Sequence, residues 1–344
     1  MSIEDVMRLV RKNILSLAPY STARDEYKGA LGVFLDANEN PFENGYNRYP
    51  DPRQAKLKAL ISQIKSVPSN SIFIGNGSDE AIDLCYRIFC EPRKDNAVMI
   101  APSYGMYRVA ADINDVEVRE VALGNGFSLP ADELLAACDE KTKLMFLCSP
   151  NNPSGNSFPI EQMEYLLERF KGVMIVDEAY IDFASQPSML TKLQSYKNLI
   201  VLQTLSKAYG LAALRLGLAF ADERIIALFS NVKYPYNINL AGMQKAEELL
   251  RRDVAGEIQQ LKSERERVAA QLTGMDCVTH VYPSDANFIL VQVTDAKSIY
   301  EVLIGQQIIV RDRSRVKGCE NCLRITIGTP AENNKLLNIL STIK

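Results

Sequence analysis

Lys207 follows a short apolar run directly, with Thr204 and Ser206 just before it and Arg215 eight residues on. A lysine amine that loses its charge through burial or a cationic neighbour becomes a nucleophile toward an aldehyde, the Schiff-base use of lysine. Two hydroxyls and a guanidinium beside such an amine suit an anion, a phosphate above all. Other polar residues recur where apolar runs stop. Ser78 and Asp79 follow Gly75-Asn76-Gly77, and Tyr104 follows Pro102-Ser103. Asn152 lies in Ser149-Pro150-Asn151-Asn152-Pro153-Ser154-Gly155, and Asp177 and Tyr180 lie in Asp177-Glu178-Ala179-Tyr180. Each alone has an ordinary explanation: Asp177 as a helix cap, Asn152-Pro153 as a turn, Tyr104 as core, Arg215 as a surface ion-pair partner. Jointly they match the needs of pyridoxal phosphate. A carboxylate at Asp177 would keep a pyridine nitrogen protonated, so that the ring withdraws electrons and stabilises a carbanion at a substrate's α-carbon. Asn152 and Tyr180 offer donors to the ring's phenolate oxygen, and Tyr104 offers an aromatic face. The phosphate would take the Thr204 and Ser206 hydroxyls, Arg215 and the helix start at Ser78-Asp79.

The elements that must hold these side chains are legible in outline. Strand-length apolar runs occupy 71–74, 97–101, 143–148, 172–176 and 198–202, and helical patterns occupy 54–64, 161–170 and the stretches after Ser78 and Tyr104. From about residue 70 to about residue 230 strand and helix alternate, and nearly every polar motif stands at a strand's carboxyl end. This predicts an α/β fold with a mostly parallel central sheet flanked by helices and a ligand crevice along one edge. Before it, apolar spacing predicts an amphipathic helix over 2–17, lying as an arm on another surface, then one strand and a polar turn up to Pro41. After Asn237 the texture changes to a long charged helix over 240–272 and alternating strands around 288–293 and 323–327, a smaller α+β domain. The expected division is an arm at 1–30, a large domain at 31–240 and a small one at 241–344.

Composition narrows the classes. Apolar content of 47%, charge of 24% and a net charge of -3 fit a soluble globular protein and give no reason to expect nucleic acid. Glu4, Asp5, Arg8, Arg11 and Lys12 interrupt the first apolar residues, unlike a signal peptide, and no run reaches membrane-spanning length without a charge. Seven cysteines, an odd number without an export signal, indicate reduced thiols and a cytoplasmic location. Cys319 and Cys322 form the only C-x-x-C, and with His280 as the sole histidine the chain lacks the usual four zinc ligands, so no metal is expected. His280 reads as structural. A dinucleotide fingerprint would need glycine where Glu80 stands, which disfavours a nicotinamide dehydrogenase. A non-catalytic α/β protein that kept the pocket is the rival of another class.

The motifs at 149–155, 177–180 and 204–217 resemble the fold type I aminotransferases. Pro19-Tyr20, Asn38-Glu39, Arg48-Tyr49-Pro50, Gly77-Ser78-Asp79-Glu80, residues 102–107, Val310-Arg311-Asp312-Arg313 and residues 323–329 narrow the likeness to the histidinol-phosphate aminotransferase family, over nearly the whole chain. The resemblance implies that Lys207 carries the cofactor, that Asp177 pairs with its ring nitrogen and that Asn152 and Tyr180 hold its phenolate oxygen. It implies that Tyr104 stacks on the ring and that Ser78, Asp79, Thr204, Ser206 and Arg215 surround the phosphate. It further implies that Tyr49 reaches the cofactor phosphate of a second copy, so the active site is shared across a homodimer. Arg324 would clamp the glutamate carboxylate, while Arg311 and Tyr20 would meet the phosphate of histidinol phosphate. The implied reaction is ping-pong transamination from glutamate to imidazole acetol phosphate, with 2-oxoglutarate released. Aromatic and broad-specificity aminotransferases and threonine-phosphate decarboxylase share the pattern from Lys207 to Arg215, and stand as alternatives. Ser154 and Ala213 depart from the commoner threonine and glycine, small for small.

Overall fold

The computed structural model describes residues 1–20 and 32–343. Seven strands, β1 (Ile72–Asn76), β2 (Asn96–Ala101), β3 (Glu117–Ala122), β4 (Thr142–Cys148), β5 (Val173–Asp177), β6 (Leu199–Thr204) and β7 (Leu216–Phe220), join in the order β1-β7-β6-β5-β4-β2-β3. β2 to β6 pair parallel with their neighbours, and β7 runs antiparallel to both β6 and β1. Parallel neighbours need a crossover, which the helices Met106–Ile113 (β2 to β3) and Ile160–Arg169 (β4 to β5) provide.

Successive side chains of a strand point to opposite faces, and both faces of this sheet are covered. Phe146, Ile175 and Ile200 pack on one side with the helix Ser78–Phe89, while Met145, Val176 and Val201 pack on the other with the helix Ile160–Arg169. That is why the central strands are unbroken apolar runs rather than alternating ones. A second, antiparallel sheet, β8 (Val278–Val281), β9 (Phe288–Val293), β10 (Arg311–Asp312) and β11 (Cys322–Thr326), has the order β10-β11-β9-β8. The helices Ala255–Thr273, Ala296–Gly305 and Pro330–Leu340 enclose its own apolar cluster.

Several sequence expectations change in detail. The helix expected over 2–17 is two helices, Ile3–Leu9 and Lys12–Leu15. The first starts with a Ser2–Asp5 capping box; the chain turns extended at Val10, where Arg11 N–H donates to the Ile88 carbonyl at 2.9 Å. Ile3, Val6 and Val10 are buried against the large sheet's helices, so the start of the arm lies on its own core. The strand expected before Pro41 is absent from residues 32–41: Val33 and Leu35 are each 87% exposed, and among the described residues no strand pairs with them. Just beyond, Asn40 and Asn44 accept hydrogen bonds from the backbone two residues on and fold the segment locally; residues 21–31 lie outside the described chain. The helix expected over 240–272 is also two, Leu240–Leu249 and Ala255–Thr273, because Asp253 accepts from the Ala255 N–H and begins a new turn. β3 and β7 were not expected. β3 is an edge strand with little burial, and β7 sits inside the motif first read for its chemistry. Among the described residues no helix is long and apolar enough to cross a membrane.

Candidate active site

The carboxyl ends of β1, β2, β4, β5 and β6 meet at one edge of the large sheet, and the reversed β7 brings its amino end, with Arg215, to the same edge. Gly77, Ser78, Asp79, Tyr104, Asn152, Asp177, Tyr180, Thr204, Ser206, Lys207 and Arg215 line a single cleft there, with Cys148, Ala179 and Ala212.

Glycines let the phosphate-suited corner form. Gly77 has φ +77°, and its N–H donates to the Arg215 carbonyl at 2.6 Å. A Cβ on Gly217 would stand 2.0 Å from the Ser78 nitrogen, so β7 approaches the helix start with no room for a side chain. The first turn of the helix Ser78–Phe89 therefore opens beside Arg215, whose guanidinium lies 3.8 Å from Asp79. Tyr104 donates its hydroxyl to the same Asp79 carboxylate at 3.0 Å, and burial beside that charge holds the phenol protonated. Thr204 Oγ1 donates to the Leu216 carbonyl at 3.3 Å and accepts from the Ser206 N–H at 3.1 Å, which orders the turn leading to Lys207.

Asp177 ends β5 fully enclosed. Burial pushes its carboxyl up to about 6, against the Tyr107 hydroxyl donating at 2.7 Å and the Ala179 N–H donating at 3.0 Å. Asp79 pushes the same way as burial, and Lys207 pulls back toward the ionised form. Lys207 Nζ lies 5.6 Å from the Tyr180 ring centroid. Burial lowers its pKa first, then Arg324 and Arg215, with Asp177 and Asp79 opposing. That is the environment that frees an amine for nucleophilic and proton-transfer work. Asn152 accepts from Arg324 Nη1 at 2.5 Å, so an arginine of the small sheet touches the cleft wall.

Not every expected site residue gathers here. Tyr20 is 75% exposed in a separate groove with Arg53 and Lys58. Tyr49 is half exposed and stacks on Tyr236 with ring centroids 4.4 Å apart. Arg311 lies exposed on β10, across from Arg324 on β11. Two contributors escaped sequence reasoning. Tyr107 grips Asp177 from a helix seventy positions earlier, buried and stacked on Phe146 at 5.0 Å; its only signal was a second tyrosine one turn after Tyr104. Cys148 lines the cleft as the register partner of Asp177. Cys319 and Cys322 are buried with Phe127 and Leu290, their thiols pushed up to about 11 and about 12 by burial. His280 packs edge-on against Tyr282 at 4.4 Å.

A lysine and a buried carboxylate facing one cleft, with an anion corner built on a helix start, define a class of enzyme, and comparison with known proteins agrees. Residues 31–340 match the family aminotransferase class I and II, and the chain belongs to it. Curated relatives from Bacteroides thetaiotaomicron (53% identical, covering 98% of this chain and 99% of that protein) and Parabacteroides distasonis (52%, 99% and 100%) are each named histidinol-phosphate aminotransferase. Within the family the chain groups with the histidinol-phosphate aminotransferases. The crystal structure of the Clostridium acetobutylicum histidinol-phosphate aminotransferase shares the fold, with a TM-score of 0.79 at 24% identity over 86% of this chain and 90% of that one. So does the Sinorhizobium meliloti enzyme, solved in complex with pyridoxal-5'-phosphate, with a TM-score of 0.76 at 23% identity over 86% and 82%.

Proposed function

We propose that the protein uses pyridoxal phosphate to transfer the amino group of L-glutamate to imidazole acetol phosphate, giving 2-oxoglutarate and L-histidinol phosphate, a step of histidine biosynthesis. The observation that carries this reading is Lys207, its amine disfavoured as a cation, facing the enclosed Asp177 across one cleft. The substrate follows the name borne by the full-length relatives. The donor set fits the cofactor: a carboxylate for a ring nitrogen, Asn152 and Tyr180 for a phenolate oxygen, Tyr104 for a ring face. Ser78, Asp79, Thr204, Ser206, Arg215 and the helix N-terminus line the corner of the cleft that would take the phosphate.

When bound, pyridoxal phosphate supplies an aldehyde that accepts amines and a ring that withdraws electrons from the amine-bearing carbon. Asp177, held by Tyr107 and the Ala179 N–H, would face the ring nitrogen, and as an anion it would keep that nitrogen protonated. Lys207 would hold the cofactor at its aldehyde end, and its free amine would serve as base and acid, taking the proton of the donor's α-carbon and returning one. Tyr180 stands beside Lys207 and offers its hydroxyl to the ring oxygen. Arg324 holds the donor's carboxylate, next to Asn152. Following the resemblance, Arg311 and Tyr20 take the acceptor's phosphate, although Tyr20 stands in a separate groove of the same chain, and Tyr49 serves the site of a second copy, which makes the working unit a homodimer. The division into an arm (1–30), a large domain (31–240) and a small domain (241–344) is supported by two sheets with separate apolar clusters, although Met243, Ala246 and Leu250 pack into the large sheet's cluster; the setting is the cytoplasm, without nucleic acid, membrane or metal.

The deciding experiment mixes purified holoenzyme separately with histidinol phosphate, phenylalanine and phosphothreonine and follows loss of the long-wavelength cofactor band. Histidinol phosphate is expected to react at least about tenfold faster than phenylalanine, the discrimination one charge-assisted anion contact supplies. Faster reaction with phenylalanine would overturn the substrate assignment, and carbon dioxide release from phosphothreonine would mark a decarboxylase.

A further inference from the structure

We propose that Arg313 is a third guanidinium of the substrate's anion site, acting with Arg311 and Arg324 to select a phosphate over a carboxylate; this rests on the function proposed above. β10 and β11 pair so that Arg311 stands directly opposite Arg324. Directly opposed residues of an antiparallel pair share a face, and like charges there repel each other. Arg313 lies two residues beyond Arg311, and its N–H donates to the Cys322 carbonyl at 2.9 Å, which keeps it against β11 as β10 ends. Its guanidinium feels Arg324 and Arg311 as repelling charges and lies within electrostatic reach of the Cys319 thiol and the Tyr180 phenol, the same phenol whose ring adjoins Lys207.

Among the described residues no aspartate or glutamate stands among the charges that shift Arg313 or Arg324. Arg313 Nε, Arg324 Nε and the neighbouring Ser314 Oγ are all buried with no hydrogen-bond partner. Two unmet guanidinium nitrogens within a group of three like charges call for an anion with several acceptor oxygens. A carboxylate brings one charge and is satisfied by one bidentate guanidinium. A phosphate ester brings about 1.5 to 2 charges and three acceptor oxygens, enough to engage the whole group. In histidinol phosphate that ester sits on the carbon next to the amine-bearing one, so amine and phosphate occupy Lys207 and the arginine group together.

The test compares holoenzyme carrying Arg313→Gln or Arg313→Lys with the unaltered protein. Arg313→Gln is expected to raise the KM for histidinol phosphate about 10- to 100-fold while the half-reaction with glutamate stays within about threefold, and Arg313→Lys to recover part of the loss because it keeps the charge. In a second measurement, inorganic phosphate is titrated against the melting temperature: the concentration needed for half the rise should increase about tenfold in Arg313→Gln. Equal losses with glutamate and histidinol phosphate, or an unchanged phosphate titration, would overturn the proposal. If the unaltered enzyme ignores histidinol phosphate, the functional reading has failed, and the phosphate titration still decides for or against Arg313. Should Arg313→Gln not fold, Arg313→Lys carries both measurements, with an expected rise in KM of about 3- to 10-fold.

Discussion

Burial governs the charge of both Lys207 and Asp177, and each pulls the other toward its ionised form, so changing either tests the site directly. Lys207→Ala is expected to slow the glutamate half-reaction by about 10³-fold or more, since general acid–base work alone contributes about 10²–10⁴; stopped-flow absorbance measures it. The raised pKa of Asp177 has a definite consequence for the cofactor-free protein. Between the ordinary carboxylate value near 4 and its own value of about 6, the folded state keeps a proton that the unfolded chain releases. Stability therefore falls as pH rises through that window, by on the order of 3 kcal/mol, and stays lower above it. Glu178, buried and pushed up to about 7, continues the decline. Urea denaturation of cofactor-free protein at pH 4, 5, 6 and 7 should show the fall, and Asp177→Asn should make it shallower below pH 6, leaving the part due to Glu178. Tyr107→Phe removes the 2.7 Å hydrogen bond that steadies the ionised carboxylate, so the Asp177 pKa should climb further and kcat should drop about tenfold with KM little changed. A titration of the bound cofactor's absorbance checks the first, and steady-state kinetics the second. The cleft residues were legible because strand ends and helix starts carry their own signals, apolar run, glycine turn, polar residue. Tyr107 was not, because which carboxylate a tyrosine grips is decided by how a helix packs across the sheet.

The strands of the centre were foreseeable for the same reason that they are buried on both faces: unbroken apolar runs can be little else. What eluded sequence reasoning were elements whose limits are tertiary. The arm's first helix stops where Arg11 finds the Ile88 carbonyl, and nothing local in the sequence announces that partner. β3 lacks a buried face, so its composition resembles a loop. β7 shows the cost of a missed element most plainly, since its direction places Arg215 at the cleft. Gly217 on that strand has no space for a methyl group, so Gly217→Ala should force β7 away from the turn at Ser78. A loss of about 1–3 kcal/mol is expected, the usual range for overpacking, together with weaker cofactor binding. Urea midpoints and an equilibrium titration with pyridoxal phosphate would show the two effects together.

Across the whole molecule the small sheet reaches the cleft at Arg324, while Tyr49 and Tyr236 form a stacked pair facing outward, with Tyr20, Phe42 and Tyr46 also exposed. If Tyr49 completes the site of a second copy, protein carrying Lys207→Ala and protein carrying Tyr49→Phe should rescue each other when unfolded and refolded together. Random pairing makes half the dimers mixed, and one of the two sites in each mixed dimer is intact, so roughly a quarter of all sites recover. Activity no greater than the average of the two variants would exclude a shared site. The return of β7 alongside β6 carries one more implication. Thr204 faces Gly217 in register, so the stretch from Leu205 to Arg215 is a loop knotted at its neck by the sheet itself. The amine and the guanidinium ride on that one loop, and they should loosen or tighten as a unit. In hydrogen–deuterium exchange its amides should open in concert, and the arrival of the cofactor should quiet all of them at once.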